Sequence, residues 1–135
     1  MPYTYTRTIR LADTDAAGIV FFANYLGLCH EAYEAALTAA GLPVQSFITG
    51  GDVIVPIAKS SVDYLRPLQC GDRVSIALTT SLLSENSFAI DYVITRLGPP
   101  DKVAARVRTE HVCTSRSRRE RTALPDALAA WVQAG

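Results

Sequence analysis

Asn24-Tyr25-Leu26-Gly27-Leu28-Cys29-His30-Glu31-Ala32-Tyr33-Glu34-Ala35-Ala36-Leu37-Thr38-Ala39-Ala40-Gly41 is the one long helical stretch of this chain, and most of the chain beyond it reads as strand. Tyr25, Leu28, Cys29, Ala32, Ala36 and Ala40 recur at three- and four-residue spacing, while Gly27, Glu31, Glu34 and Thr38 gather on the opposite side. That spacing predicts an amphipathic helix. Asn24 is expected to cap its start, and Gly41 ahead of Leu42-Pro43 to stop it. An apolar stripe so rich in alanine lets the helix lie close against a sheet.

Upstream, Tyr3, Tyr5, Ile9 and Leu11 alternate with Thr4, Thr6, Thr8 and Arg10, the pattern of a half-buried strand. Downstream, a turn is expected around Gly50-Gly51. A second strand starts with Val53, Val55 and Ile57 and runs to about Tyr64, before Arg66-Pro67. Cys70-Gly71-Asp72 is turn material. Val74, Ile76, Leu78, Thr80 and Leu82 then alternate as a third strand, and Phe88, Ile90, Tyr92 and Ile94 form a fourth. Ser84-Glu85-Asn86-Ser87 joins those two as a hairpin, and Gly98-Pro99-Pro100-Asp101 is a turn. Val103 to Cys113 gives a fifth strand, and a short helix with Leu128 and Trp131 begins near Pro125. Hairpin-length links among the last three strands imply an antiparallel sheet. The expected fold is α+β, a five-stranded antiparallel sheet wrapped around one long central helix, the hotdog arrangement. One helix cannot cover both faces of five strands, so oligomerisation is expected. No repeat or low-complexity linker interrupts residues 1–135, which read as a single domain.

Composition narrows the function. Lys plus Arg equals Asp plus Glu at 13 each, without the basic excess a nucleic-acid binder carries. No apolar stretch approaches the roughly 20 residues of a membrane span. The start of the chain lacks a signal-peptide core, so cytoplasmic residence is expected. Cys29, Cys70 and Cys113 are odd in number and widely spaced, and are expected to be reduced thiols packed as small apolar side chains.

Asp13-Thr14-Asp15-Ala16-Ala17-Gly18-Ile19-Val20-Phe21-Phe22-Ala23 leads into the helix and holds the chemistry. Two aspartates there either cap turns or supply a carboxylate that attacks or activates water. Small residues at 16 to 18 leave room for a substrate carbonyl. Ile19-Val20-Phe21-Phe22 is too apolar for an ordinary exposed loop and is expected to line a pocket. Unpaired N–H groups at the helix start can hold an oxyanion. A calcium loop would need further acidic ligands at fixed offsets, and none are present. His30-Glu31-Ala32-Tyr33-Glu34 lacks the second histidine of a zinc hydrolase, so no metal or other cofactor is expected. His30, at the border of the helix's apolar stripe, is either bonded to solvent or backbone or touches substrate. Arg116, Arg118, Arg119 and Arg121 form either a solvated run or a docking surface for phosphates.

The stretch from Leu11 to Tyr25, an Asp, two small residues, Gly-Ile-Val, two aromatic positions and Asn-Tyr, resembles the active-site loop of the 4-hydroxybenzoyl-CoA thioesterase family of hotdog proteins. Leu11-Ala12-Asp13-Thr14-Asp15, Cys29 to Glu34, Cys70-Gly71-Asp72-Arg73 and His111-Val112-Cys113 are similar to its cyanobacterial subgroup acting on 1,4-dihydroxy-2-naphthoyl-CoA in phylloquinone synthesis. The resemblance implies an acyl-CoA thioester hydrolase. Asp15, not Asp13, is the implied catalytic carboxylate, and the Phe22 N–H the implied oxyanion donor. Gly18, Ile19, Asn24, Tyr25 and His30 are the implied substrate contacts, with His30 toward a ring hydroxyl. Family members pair edge to edge across a site between subunits, and many form tetramers. The family's founding members hold CoA phosphates with a basic cluster where this chain has Ser84-Glu85-Asn86-Ser87. Ser87, Arg116, Arg118 and Arg119 are therefore the candidate CoA contacts. The alternatives are a hotdog thioesterase for another aromatic or short aliphatic acyl-CoA or an acyl-carrier-protein substrate, and a non-catalytic acyl-CoA binder.

Overall fold

Five strands hydrogen-bond antiparallel in the spatial order β1 (Tyr3–Thr8), β4 (Arg73–Ser84), β5 (Ser87–Arg96), β6 (Lys102–Val112) and β3 (Ile57–Tyr64). The computed structural model describes residues 2–45 and 51–135, so of the expected Gly50-Gly51 turn only Gly51 falls within it. Helix α1 (Asn24–Ala39) packs on one face of the sheet, and α2 (Asp126–Ala134) closes the core beside β4. The expected hotdog arrangement is what the chain forms.

The core is where the two periodicities meet. Leu28, Cys29, Ala32 and Ala36 of α1 are buried against Val74, Ile76 and Leu78 of β4 and against Ile90, Tyr92 and Ile94 of β5. Each fully buried Leu or Ile contributes about 2 kcal/mol. The buried stripe of α1 is wider than expected, taking in Tyr33 and Leu37 and leaving Ala40 exposed. Gly41, at φ +81°, ends the helix: its N–H donates to Thr38 O and the Leu42 N–H to Leu37 O, which satisfies two terminal carbonyls. The far face of the sheet is polar, with Arg108 paired to Asp91 and Glu110.

Several boundaries differ from expectation for local reasons. β1 stops at Thr8, and Leu11 stands 75 % exposed in a 3-10 turn over Leu11–Asp13. Arg7, not an apolar residue, fills the inward position between Tyr5 and Ile9. It survives there because its guanidinium meets Asp13 at 2.8 Å and Glu31 at 3.2 Å. The second strand is two pieces. Pro56, without an N–H to give a ladder, separates β2 (Val53–Ile54) from β3. β2 joins a small second sheet with β7 (Thr114–Ser115) and β8 (Glu120–Arg121). Of the thiols, Cys29 and Cys113 are buried as expected, but Cys70 is exposed in its turn.

Candidate active site

The loop between β1 and α1 is pinned at Asp13. Its carboxylate accepts from the Arg10 N–H and from Arg7, while its carbonyl oxygen accepts from the Phe21 N–H at 3.0 Å and from Asn24 Nδ2 at 2.9 Å. Asn24 is thus not the helix cap. It is the first residue of α1, after Ala23, and its amide reaches back to tie the helix to the loop. These bonds make Asp13 structural.

Asp15 is held differently. Its N–H donates to Ile19 O, its carbonyl accepts from the Gly18 N–H, and its Oδ1 accepts from the Ala17 N–H at 2.8 Å. Gly18 makes this tight turn at φ +82°, a conformation that strains any residue with a Cβ. Oδ2 meets no donor among the described residues, and the side chain is exposed. The carboxylate is fixed through one oxygen and available through the other.

Asp15 lines a cleft of about 380 Å³ with Ile19, Phe21, Phe22, Tyr25 and Tyr64. The Asn24 and Tyr25 N–H groups are taken up by Phe21 O and Phe22 O, but the Phe22 N–H finds no acceptor among the described residues. Tyr64 donates its O–H to Phe22 O at 3.0 Å, and its ring meets Tyr25 edge to face at 5.0 Å. Burial, reinforced by the neighbouring Tyr64, raises the Tyr25 phenol above its ordinary range, so it stays protonated. Phe22 is 63 % exposed, which leaves an apolar rim open to an incoming molecule.

The other candidates lie elsewhere. Gly18 and Asn24 shape the cleft without lining it. His30 is absent from it: this half-exposed imidazole faces Glu34 at 3.7 Å and lines a second cavity with Tyr33, Leu37, Val55, Ile57 and His111. Within one protomer, His30 and Asp15 do not share a site. The arginines are not a loose run, since they sit on the ordered β7–β8 hairpin. Asp52 clasps it by accepting from the Ser115 hydroxyl and the Ser117 N–H, and those bonds pull its carboxyl down to about 2. Arg118 also pairs with Glu120 at 3.5 Å, so its charge is partly engaged. Ser87 bonds Ser84 across the hairpin tip at 2.7 Å. Both hairpins adjoin the Ile57 end of β3, whereas Asp15 is near its Tyr64 end.

Sequence reasoning did not select Tyr64, Leu65, Arg66 or Pro67, which form the far wall of the cleft. An aromatic followed by Leu-Arg-Pro at a strand end was the available signal. His111, buried with its Nδ1 unpartnered among the described residues, entered the sequence reading only within a resemblance and was given no role. The thiols add no rival nucleophile in the core, because burial pushes Cys29 up to about 12.

A hotdog sheet and helix, with a carboxylate and an unpaired amide sharing one cleft at the helix start, define a thioesterase-like protein. A sequence model of the thioesterase-like superfamily matches residues 9–132, and the chain belongs to that family. It is 45 % identical to the 1,4-dihydroxy-2-naphthoyl-CoA hydrolase of Rippkaea orientalis over 129 residues, covering 96 % of this chain and 94 % of that one. It is 44 % identical to the protein of the same name from Synechococcus elongatus, covering 97 % and 95 %. The crystal structure of a 1,4-dihydroxy-2-naphthoyl-CoA thioesterase from Synechocystis superposes with a TM-score of 0.93 at 37 % identity, covering 98 % and 96 %.

Proposed function

We propose that the protein hydrolyses 1,4-dihydroxy-2-naphthoyl-CoA to 1,4-dihydroxy-2-naphthoate and CoA, a step of phylloquinone synthesis. The observation that carries this reading is the shared cleft: a carboxylate oxygen free of donors on Asp15 and an acceptor-free N–H on Phe22. Identity of 44 to 45 % over nearly the whole chain to hydrolases of that name supports the choice of acyl group.

In the reaction, the Asp15 carboxylate attacks the thioester carbon, or takes a proton from a water that does. The Phe22 N–H donates to the carbonyl oxygen as it becomes an oxyanion, and the positive end of α1 adds favourable field. The C–S bond breaks and CoA leaves as a thiolate, a leaving group that needs little acid assistance. On the covalent route, water then hydrolyses the acyl-aspartate anhydride and restores the carboxylate. Both routes use the same free oxygen.

Assembly and cellular place belong to the same proposal. β3 is an edge strand, unpaired on its outer side among the described residues, with Ile57 and Tyr64 exposed at its ends. Antiparallel pairing of β3 with a second copy, centred between Ser60 and Ser61, sets Ile57 of one copy across from Tyr64 of the other. That docking brings Arg116, Arg118 and Arg119 of one subunit, with Ser87, to the Asp15 cleft of the next, where they can hold CoA phosphates. Family resemblance favours such dimers pairing further into tetramers. Three unpaired cysteines suit the reducing cytoplasm, and no helix among the described residues is long and apolar enough to cross a membrane.

Free-thiol release from 1,4-dihydroxy-2-naphthoyl-CoA tests the proposal. Asp15→Asn is expected to lower kcat at least about a hundredfold, the scale of a lost base or nucleophile, with folding intact. A wild-type rate in that variant overturns the assignment, and no thiol release by the native protein overturns the function.

A further inference from the structure

The second cavity contains a feature that the reaction chemistry does not use. His111 is 1 % exposed, its ring stacked on Phe88 at 4.7 Å and tilted against Tyr33 at 5.1 Å. Its Nε2 lies 2.8 Å from Thr109 Oγ1, and the Thr109 hydroxyl donates on to the Tyr92 oxygen at 3.4 Å. With the Thr109 proton committed there, its lone pair accepts from Nε2–H. Nδ1 is then a bare acceptor, and it has no partner among the described residues. Burial, and secondarily the nearby His30, lowers this imidazole to about 4, so it is neutral at pH 7. A buried acceptor without a donor is unfavourable until something supplies one.

The cavity around it has an apolar lining from Leu37, Val55 and Ile57 and an aromatic wall from Tyr33, with His30 and Glu34 as its other polar members. This suits a flat ring carrying a hydrogen-bond donor at its inner edge. We propose that His111 Nδ1 is a specificity-determining contact that accepts a hydrogen bond from a hydroxyl of the aromatic acyl group, on the ring position remote from the thioester. The inference rests on the proposed function and its dimer, in which β3 pairing lays this cavity of one subunit against the Asp15 cleft of the other. Thioester carbon and ring hydroxyl then fall in pockets from two subunits. Thr109 and Tyr92 are positioning residues, holding the imidazole in the tautomer that leaves Nδ1 bare.

Two measurements test it, one needing no turnover. In native protein with 15N-labelled histidine, the Nδ1 resonance of His111 is expected to move upfield on adding 1,4-dihydroxy-2-naphthoate and to stay in place with 1-hydroxy-2-naphthoate. No movement with the dihydroxy acid overturns the proposal, even if the protein hydrolyses the thioester. In kinetics, the native protein is expected to favour the dihydroxy thioester over its 4-deoxy analogue by about tenfold or more in kcat/KM. His111→Gln keeps an amide near Nε2 for Thr109 but withdraws the acceptor, and is expected to remove that preference. His111→Asn, with an amide oxygen near the Nδ1 position, restores part of it. A preference unchanged in His111→Gln overturns the proposal. Absence of turnover with either thioester in native protein is instead a failure of the proposed function, and the resonance titration then decides the role of His111 by itself.

Discussion

Asp13 and Asp15 are two residues apart and chemically identical, yet the fold gives them different surroundings. Asp13 holds Arg7 and the Arg10 N–H, both through Oδ2, whereas Asp15 lines the cleft and its carboxylate accepts only from the Ala17 N–H. The ion pair with Arg7 on one and the place in the cleft of the other are what separate them, and spacing alone leaves that choice open. His111 shows the same dependence on surroundings. Unfolded, it titrates near 6.5, while in the fold burial holds it at about 4. Between those values the unfolded chain binds a proton that the native one does not, so stability is full above pH 6.5 and falls as pH drops toward 4. The loss expected from this group is on the order of 3 kcal/mol. Asp52 acts in a separate window. Its lowered carboxyl supports the fold above its ordinary range near 3.8 and loses that support as pH falls toward about 2. Urea denaturation from pH 7.5 to 4.5 is expected to show the slope in native protein and a flatter line in His111→Gln. A native curve independent of pH over that range would remove the buried-neutral assignment.

At the scale of elements, β1, the 3-10 turn and α1 are joined through one buried cation. Arg7 is 6 % exposed and meets Asp13 on the turn and Glu31 on α1. Removing only the cation strands the Asp13 carboxylate in a partly buried site. Arg7→Met is therefore expected to cost about 3 kcal/mol in urea denaturation, and Arg7→Met with Asp13→Asn to recover at least half of that. A double variant as unstable as the single one would show that packing of the arginine stem, not charge, governs this joint. The long elements were legible in sequence: alternation marked β4, β5 and β6, three-four spacing marked α1, and Gly41 marked its end. The failures fell where one residue does an unusual job. Arg7 occupies a core position that an alternation count assigns to an apolar residue. Pro56 cuts a strand that hydropathy alone makes continuous, and Asn24 spends its amide on the loop instead of the cap.

For the whole molecule, the division of the candidate site into two cavities is the main structural fact. Asp15 and Phe22 lie at the Tyr64 end of β3, and His30, His111 and the arginine hairpin lie at the Ile57 end. In the proposed dimer, two copies related by a twofold axis through the middle of β3 bring them together. The proposed pairing sets Ser60 across from Ser61, so Ser60→Glu with Ser61→Glu would put like charges opposite one another. Light scattering is expected to show native protein at a dimer mass or a multiple of it and this variant shifted toward monomer. Thioester turnover should fall with the mass although Asp15 is untouched. Full turnover by a monomeric variant would show that one protomer suffices.

By itself the sequence determined the class of fold and pointed to the loop proposed for the chemistry, because periodicity, turn residues and a short motif are local properties of the chain. Only tertiary structure decided which aspartate pairs with Arg7 and which lines the cleft, that Tyr64 walls the cleft, and that His30 belongs to another cavity with His111. Those outcomes depend on which distant groups reach each donor and acceptor, and strands far apart in the chain supply them.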